Sequence, residues 1–225
     1  MDTLNTILNL DKDTCNPTAD KMFMKISGLE KPGERFDKMR ANAKEIRQRV
    51  ESRIDMKAVY SYFDSIEFKG NQLFLGDQYL TCNAFEQIDP AQVKGIYVYM
   101  LTAGDFDFTD EPIMDQLFAD IWGTAFTDAA LALLEDHLAD GKLLSEVFGP
   151  GFFGMSLTQM QELAKLVDAT SIGIEVRTDS FLLPRKSCGG FYFSVTDNYT
   201  SVNKACADCL GNPAGCQFCK LNNKV

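Results

Sequence analysis

One uncharged run, Gly95-Ile96-Tyr97-Val98-Tyr99-Met100-Leu101-Thr102-Ala103, constrains this chain most. Aromatic and β-branched residues favour extended backbone, and apolar residues at both odd and even positions predict a strand buried on both faces. Gly104 ends the run and the acidic loop Asp105, Asp107, Asp110, Glu111 follows. Pro112 then suits the first turn of a helix, with the acidic residues before it complementing the helix dipole. The pattern predicts that this helix reaches Leu138. Ile113, Leu117, Ile121, Trp122, Ala125, Ala129, Ala132 and Leu133 make much of its circumference apolar, the mark of a central helix. Gly123, Ala125, Ala129 and Ala130 leave room for another element to approach closely.

The flanking sequence is less uniform. A short helix is expected near Thr3–Leu10, and Pro17, Gly28, Pro32 and Gly33 punctuate the segment after it. Phe36, Met39, Ala43, Ile46, Val50 and Ile54 recur at spacings of three and four between Lys, Arg, Glu and Gln. That spacing predicts a long surface helix from Glu34 to about Phe63. Ile66–Lys69 and Gln72–Leu75 flank Gly70-Asn71 as a β-hairpin, and Asp89-Pro90 opens a short helix or turn. After the loop Glu146–Gly154, Ser156-Leu157-Thr158-Gln159 reads as a capping box opening a helix to about Asp168. Gly173–Arg177, Ser180–Leu183 and Gly190–Thr196 read as strands.

Charge excludes some partners. The formal net charge of −10 is concentrated: residues 61–140 carry 15 acidic and two basic side chains. Such a block repels phosphate, so nucleic acid is not expected as a partner. No continuous apolar run approaches 18 residues, so no membrane span is expected. Met1–Asn5 lacks the basic and apolar regions of a signal peptide, so a cytoplasmic chain is the default expectation. With His137 as the single histidine, at the end of a helix, a histidine-rich metal site is excluded.

Four of the seven cysteines form Cys206-x2-Cys209-x6-Cys216-x2-Cys219. Each CxxC pair presents two thiolates, and the turn Gly211–Gly215 brings the pairs together. Four thiolates suit tetrahedral zinc or an iron–sulfur cluster, and the spacing does not choose between them. Cys15, Cys82 and Cys188 are isolated and read as buried thiols.

Several short motifs occur in a telling order. They are Gly149-Pro150-Gly151-Phe152 before the capped helix, Leu166–Ala169, Ile172-Gly173-Ile174, Thr178-Asp179-Ser180-Phe181-Leu182-Leu183-Pro184-Arg185-Lys186-Ser187, and Gly190-Phe191-Tyr192-Phe193-Ser194. This order resembles the activation domain of vitamin B12-dependent methionine synthase, and in particular its short stand-alone members. Those carry a similar Pro-Arg-Lys-Ser segment and a cysteine-rich C-terminal tail. The motifs cover about residues 145–200; the strand at 95–103 and its helix fit more loosely, and the first 60 residues add little.

The resemblance implies an α+β fold, a twisted antiparallel sheet packed with long helices, over residues 1–201 with 1–33 as an N-terminal extension. Residues 202–225 would be a small metal-binding tail. It also implies S-adenosylmethionine bound in a shallow groove and docking onto a cobalamin-binding methyltransferase protein, where cob(II)alamin is reduced by one electron and remethylated. The family's Arg-x-x-x-Gly-Tyr loop corresponds to residues 147–152. Gly151 matches, but Val147 stands at the arginine position and Phe152 at the tyrosine position. A charge-assisted hydrogen bond of the kind that arginine makes is worth roughly 1.5–3 kcal/mol. The family's Thr-Glu-Ser is Thr178-Asp179-Ser180, and a tyrosine after the last strand is matched within a residue by Tyr199. Cofactor-binding positions are therefore expected among Gly149, Pro150, Gly151, Phe152, Asp179, Ser180, Arg185, Lys186, Tyr192 and Tyr199, with Arg177, Arg185 and Lys186 as the cations available to replace the missing arginine. Three functions follow: a reactivation partner, an iron–sulfur redox module, or a zinc-stabilised interaction protein without catalysis.

Overall fold

The computed structural model describes residues 2–202. The four tail cysteines, Cys206, Cys209, Cys216 and Cys219, lie outside the described residues. In chain order the elements are β1 (Thr3–Asn9), α1 (Lys12–Ser27), α2 (Glu34–Val50), β2 (Ile54–Phe63), β3 (Glu67–Lys69), β4 (Gln72–Leu75), β5 (Gln78–Thr81), β6 (Val93–Gly104), α3 (Ile113–Ala139), β7 (Leu143–Leu144), α4 (Gln159–Leu163), β8 (Glu175–Val176), β9 (Leu182–Leu183) and β10 (Ser187–Val195). The main sheet is antiparallel throughout, in the order β1-β2-β6-β10-β7. Two small antiparallel sheets, β3-β4-β5 and β8-β9, accompany it. The fold is α+β.

β6 is the strand expected from its composition: every residue from Gly95 to Gly104 is buried. Its odd side chains, Tyr97, Tyr99 and Leu101, face the helices, and its even ones, Ile96, Val98 and Met100, face the opposite layer. α3 covers the helical face. Trp122 stacks on Phe23 of α1 with centroids 3.9 Å apart, and its indole N–H donates to the Ala43 carbonyl of α2 at 2.9 Å. One side chain thus joins three helices. α3 is long and apolar enough to cross a bilayer, yet 56% of its most apolar window is buried inside this fold. The other face of the sheet is filled by Phe85, Phe148, Phe191 and Phe193 beneath the hairpins and α4.

The structure corrects four expectations. Thr3–Asn9 is an edge strand paired with β2, not a helix. The helix begins at Lys12, where the Asp11 carboxylate accepts from the Thr14 N–H at 2.8 Å. The helix starting at Glu34 stops at Val50, and Ile54–Phe63 is a strand between β1 and β6. Ile54 continued the helical spacing by coincidence. The aromatic and β-branched residues after it pack on both faces of a sheet, which long-range pairing decides. The capped helix to Asp168 shrinks to Gln159–Leu163 with no side-chain cap, because the Ser156 hydroxyl meets the Thr158 N–H at 3.3 Å within a turn. The strands read at 173–177 and 180–183 reduce to two residues each.

Candidate functional site

β10 organises the region that the motifs marked. One edge receives β7 and the segment after it: the Phe148 N–H donates to the Phe191 carbonyl at 2.9 Å, and the Phe191 N–H donates back at 2.8 Å. Phe148 then stacks on Phe191, 5.4 Å away and 8° from parallel. The backbones meet so closely that side chains are excluded. A Cβ at Gly190 would stand 2.5 Å from the Phe148 carbonyl oxygen, and one at Gly149 would stand 3.0 Å from the Gly189 carbonyl oxygen. Gly149 and Pro150 are buried here. Gly151 turns the chain at φ +91°, and its N–H donates to the Met155 carbonyl at 2.9 Å. Phe152 projects outward, 53% exposed, and Val147 is half-buried on the helical face.

Even-numbered residues of β10 point towards α3 and collect polar groups there. Tyr192, 1% exposed, stacks on Tyr99 and its hydroxyl donates to Glu135 at 3.2 Å. Burial, with the Glu135 charge behind it, holds the Tyr192 phenol above its ordinary range. Cys188 is pushed up to about 12 by burial and then by the Asp128 carboxylate. Burial also raises Asp128, opposed by the Lys186 charge. Tyr192 was expected to touch a ligand; it is an interior side chain. Asp128 and Glu135 were not singled out from sequence, although a carboxylate between Gly123 and Ala132, in the small-residue stretch of α3, was a usable signal for Asp128; Cys188 was read there only as a buried thiol.

Beyond the end of β10, Tyr199 lies beside Glu146. Burial and that carboxylate raise the phenol above its ordinary range. One Glu146 oxygen accepts from the Val202 N–H. The other oxygen and the Tyr199 hydroxyl are both buried, and the two side chains adjoin.

The start of β10 has a different character. The Lys186 stem lies over Gly123 of α3, where a Cβ would meet it at 2.6 Å. Its ammonium pairs with Asp120 at 2.7 Å and donates to Thr124 at 3.0 Å. The small residues of α3 admit this approach. Arg185 makes no hydrogen bond or ion pair with the described residues. It lines an open groove of about 750 Å³ with Asp105, Phe106, Phe108, Leu117 and Glu175. Asp179 and Ser180 sit apart, at the tip of the β8–β9 turn. Ser180 adopts φ +68°, and Asp179 accepts from the Phe181 N–H at 3.2 Å and pairs with Arg177 at 3.5 Å.

The predicted residues therefore divide into three places. Gly149–Phe152 adjoin the Gly189–Phe191 stretch of β10, Tyr192 follows within the strand facing α3, and Tyr199 lies beyond its end. Arg185 and Lys186 stand at its start, and Lys186 is about 10 Å along the strand from Gly189, against which Gly149 packs. Asp179 and Ser180 occupy an exposed tip. Among the described residues, no three His, Cys, Asp or Glu side chains form a group that holds a metal ion.

The α+β architecture, an antiparallel sheet packed with long helices, has a solved counterpart. It is similar to a solved structure described as the MetH reactivation domain bound to AdoHcy, with TM-score 0.63 and 12% identity, over 91% of this chain and 84% of that one. At that identity the likeness shows the fold. No protein-family model matches the chain, and no curated protein matches it.

The resemblance in motif order is what would place S-adenosylmethionine at this loop. Position 147 supplies a half-buried valine and position 152 an outward phenylalanine. Arg177 is paired at the hairpin tip, and Lys186 is held by α3. No cation from these positions meets a ligand carboxylate at the loop. The residues do not fit S-adenosylmethionine as a tightly held resident ligand.

Proposed function

We propose that this protein is a stand-alone reactivation partner of a corrinoid methyltransferase. It docks on the cobalamin-binding protein while cob(II)alamin takes one electron and a methyl cation equivalent to return to methylcobalamin. The observation that carries this reading is the fold likeness over nine-tenths of the chain to a reactivation domain, joined to the motif order at residues 149–194. The described residues contain no nucleophile–base pair, and the polar groups facing α3 are interior. The chain's contribution is thus a docking geometry, and the difficult chemistry belongs to the partner's corrinoid.

S-adenosylmethionine enters this scheme as a substrate that supplies the methyl group. Its carboxylate lacks the family arginine, so calorimetry is expected to give a weak affinity. Val147→Arg tightens it by about 10- to 150-fold, the equivalent of one charge-assisted hydrogen bond. An unchanged affinity in that variant removes the loop from the ligand site. The function itself is tested by adding the protein to a cob(II)alamin-loaded methyltransferase with a low-potential reductant and S-adenosylmethionine. Protein-dependent formation of methylcobalamin supports it. Absence of any complex with the corrinoid protein, and of any effect on recovery, removes it.

The four-cysteine tail adds a second part to the proposal: a zinc or iron–sulfur site at Cys206, Cys209, Cys216 and Cys219, suggested by their spacing alone. Metal analysis and a visible spectrum of anaerobically purified protein separate the two. A brown, iron-containing protein makes the tail an electron-delivery group; a colourless one with stoichiometric zinc makes it structural. The cytoplasm remains the proposed compartment.

A further inference from the structure

The groove at the start of β10 is not used by the loop that the motifs mark. Its floor is Phe106 and Phe108, one wall is the first turns of α3, and the other is Leu183–Lys186. Ile113 is 76% exposed, Met114 40% and Leu117 48%. Residues 113 and 117 are four apart, so they share one helix face. Large apolar side chains exposed together and continuous with an apolar floor mark a surface that another molecule covers. The polar rim is acidic on balance: Asp105, Asp107, Asp120 and Glu175 line it against Arg185 and Lys186. Lys186 is already paired with Asp120. The groove also opens from the acidic third of the chain, where 15 acidic residues face two basic ones.

We infer that this groove is a docking surface for a basic, amphipathic segment of the corrinoid protein. The segment's apolar side lies on Ile113, Met114 and Leu117, and its Lys or Arg side chains meet Asp105 and Glu175. Arg185, which makes no hydrogen bond or ion pair with the described residues and feels the charge of Asp107 across the rim, receives an acidic residue of the same segment and sets its register. The inference rests on the function proposed above and names the contact through which the partner is held. Complementary charge of this kind speeds encounter and rejects acidic surfaces.

The experiment measures binding of the source organism's methionine synthase cobalamin-binding domain, loaded with cob(II)alamin, by sedimentation and calorimetry. The replaced side chains in Ile113→Asp/Leu117→Asp are exposed, and unchanged melting verifies that this variant folds. It is expected to lose roughly tenfold or more in affinity, as a truncated apolar anchor does. Asp105→Asn/Glu175→Gln is expected to flatten the decline in affinity between about 50 and 500 mM salt. If the wild type binds and Ile113→Asp/Leu117→Asp binds within about twofold of it, the groove is not the contact and the proposed function stands. If the wild type is a dimer that this variant disrupts while partner affinity is unchanged, a second copy occupies the groove and the inference is overturned. If the wild type binds no corrinoid protein, the function falls, and the inference with it.

Discussion

The middle and the start of β10 solve opposite problems. At Gly190–Phe191, backbone meets backbone across Gly149 and Gly190, and aromatic rings close over the contact. At the Lys186 end, a lysine stem crosses Gly123 and an arginine stands unpaired over an open, apolar, acid-rimmed groove. The first region is a fixed joint, where packing leaves no tolerance. The second is a surface whose side chains move at little cost to the fold. Motif order alone marked both, so a shared motif does not imply a shared task.

That contrast is open to attack in order of size. Phe191→Ala removes a ring stacked on Phe148 and wedged against Phe193. A loss of about 3–5 kcal/mol is expected, or about 6–20 °C in Tm for a chain of this length; a loss below a degree contradicts the fixed joint. Gly190→Ala drives a Cβ onto the Phe148 carbonyl, a backbone atom that cannot swing away. About 1–3 kcal/mol is expected, the usual cost of overpacking. At the start of β10, Lys186→Met keeps the stem over Gly123 but loses the Asp120 and Thr124 contacts. Because Asp120 is largely exposed, the loss is held to about 0.2–1 kcal/mol. Arg185→Met is expected to change stability by less than about 0.5 kcal/mol.

The smallest expected effect depends on pH. Burial raises the Asp128 carboxyl in the folded protein. The native state then holds that proton more tightly than the unfolded chain. The stability that protonation contributes is complete below the unfolded value of about 3.9 and is lost as pH rises through the native value. Asp128→Asn, which cannot ionise, is expected to melt above the wild type near pH 7, with the difference shrinking as pH falls towards about 4. A difference that grows on acidification contradicts a carboxyl raised by burial.

Much of this frame was legible in the sequence. β6 and α3 declared themselves because each carries an unambiguous apolar pattern, one extended and one helical, and the hairpin at Gly70-Asn71 followed from its turn. β1 did not, because its seven mixed-polarity residues acquire their conformation by pairing with β2. β2 was hidden because Ile54 sits four residues after Val50 and extends a helical spacing that the backbone abandons. For the site, motif order identified the loop and the Pro-Arg-Lys segment but not what each packs on, β10 for the loop and α3 for Lys186, which only tertiary packing decides. The groove was illegible for a plainer reason: Asp105–Phe108, Ile113–Asp120, Glu175 and Leu183–Lys186 meet only in three dimensions.

The central claim is that the chain returns a partner's corrinoid to its methylated state. The most direct measurement follows the visible spectrum of a cob(II)alamin-loaded methyltransferase, with reductant and S-adenosylmethionine present, as the protein is titrated in. A rate of methylcobalamin appearance that rises with the protein and saturates at one per corrinoid protein is the predicted result. A rate that is the same with and without the protein would contradict the account.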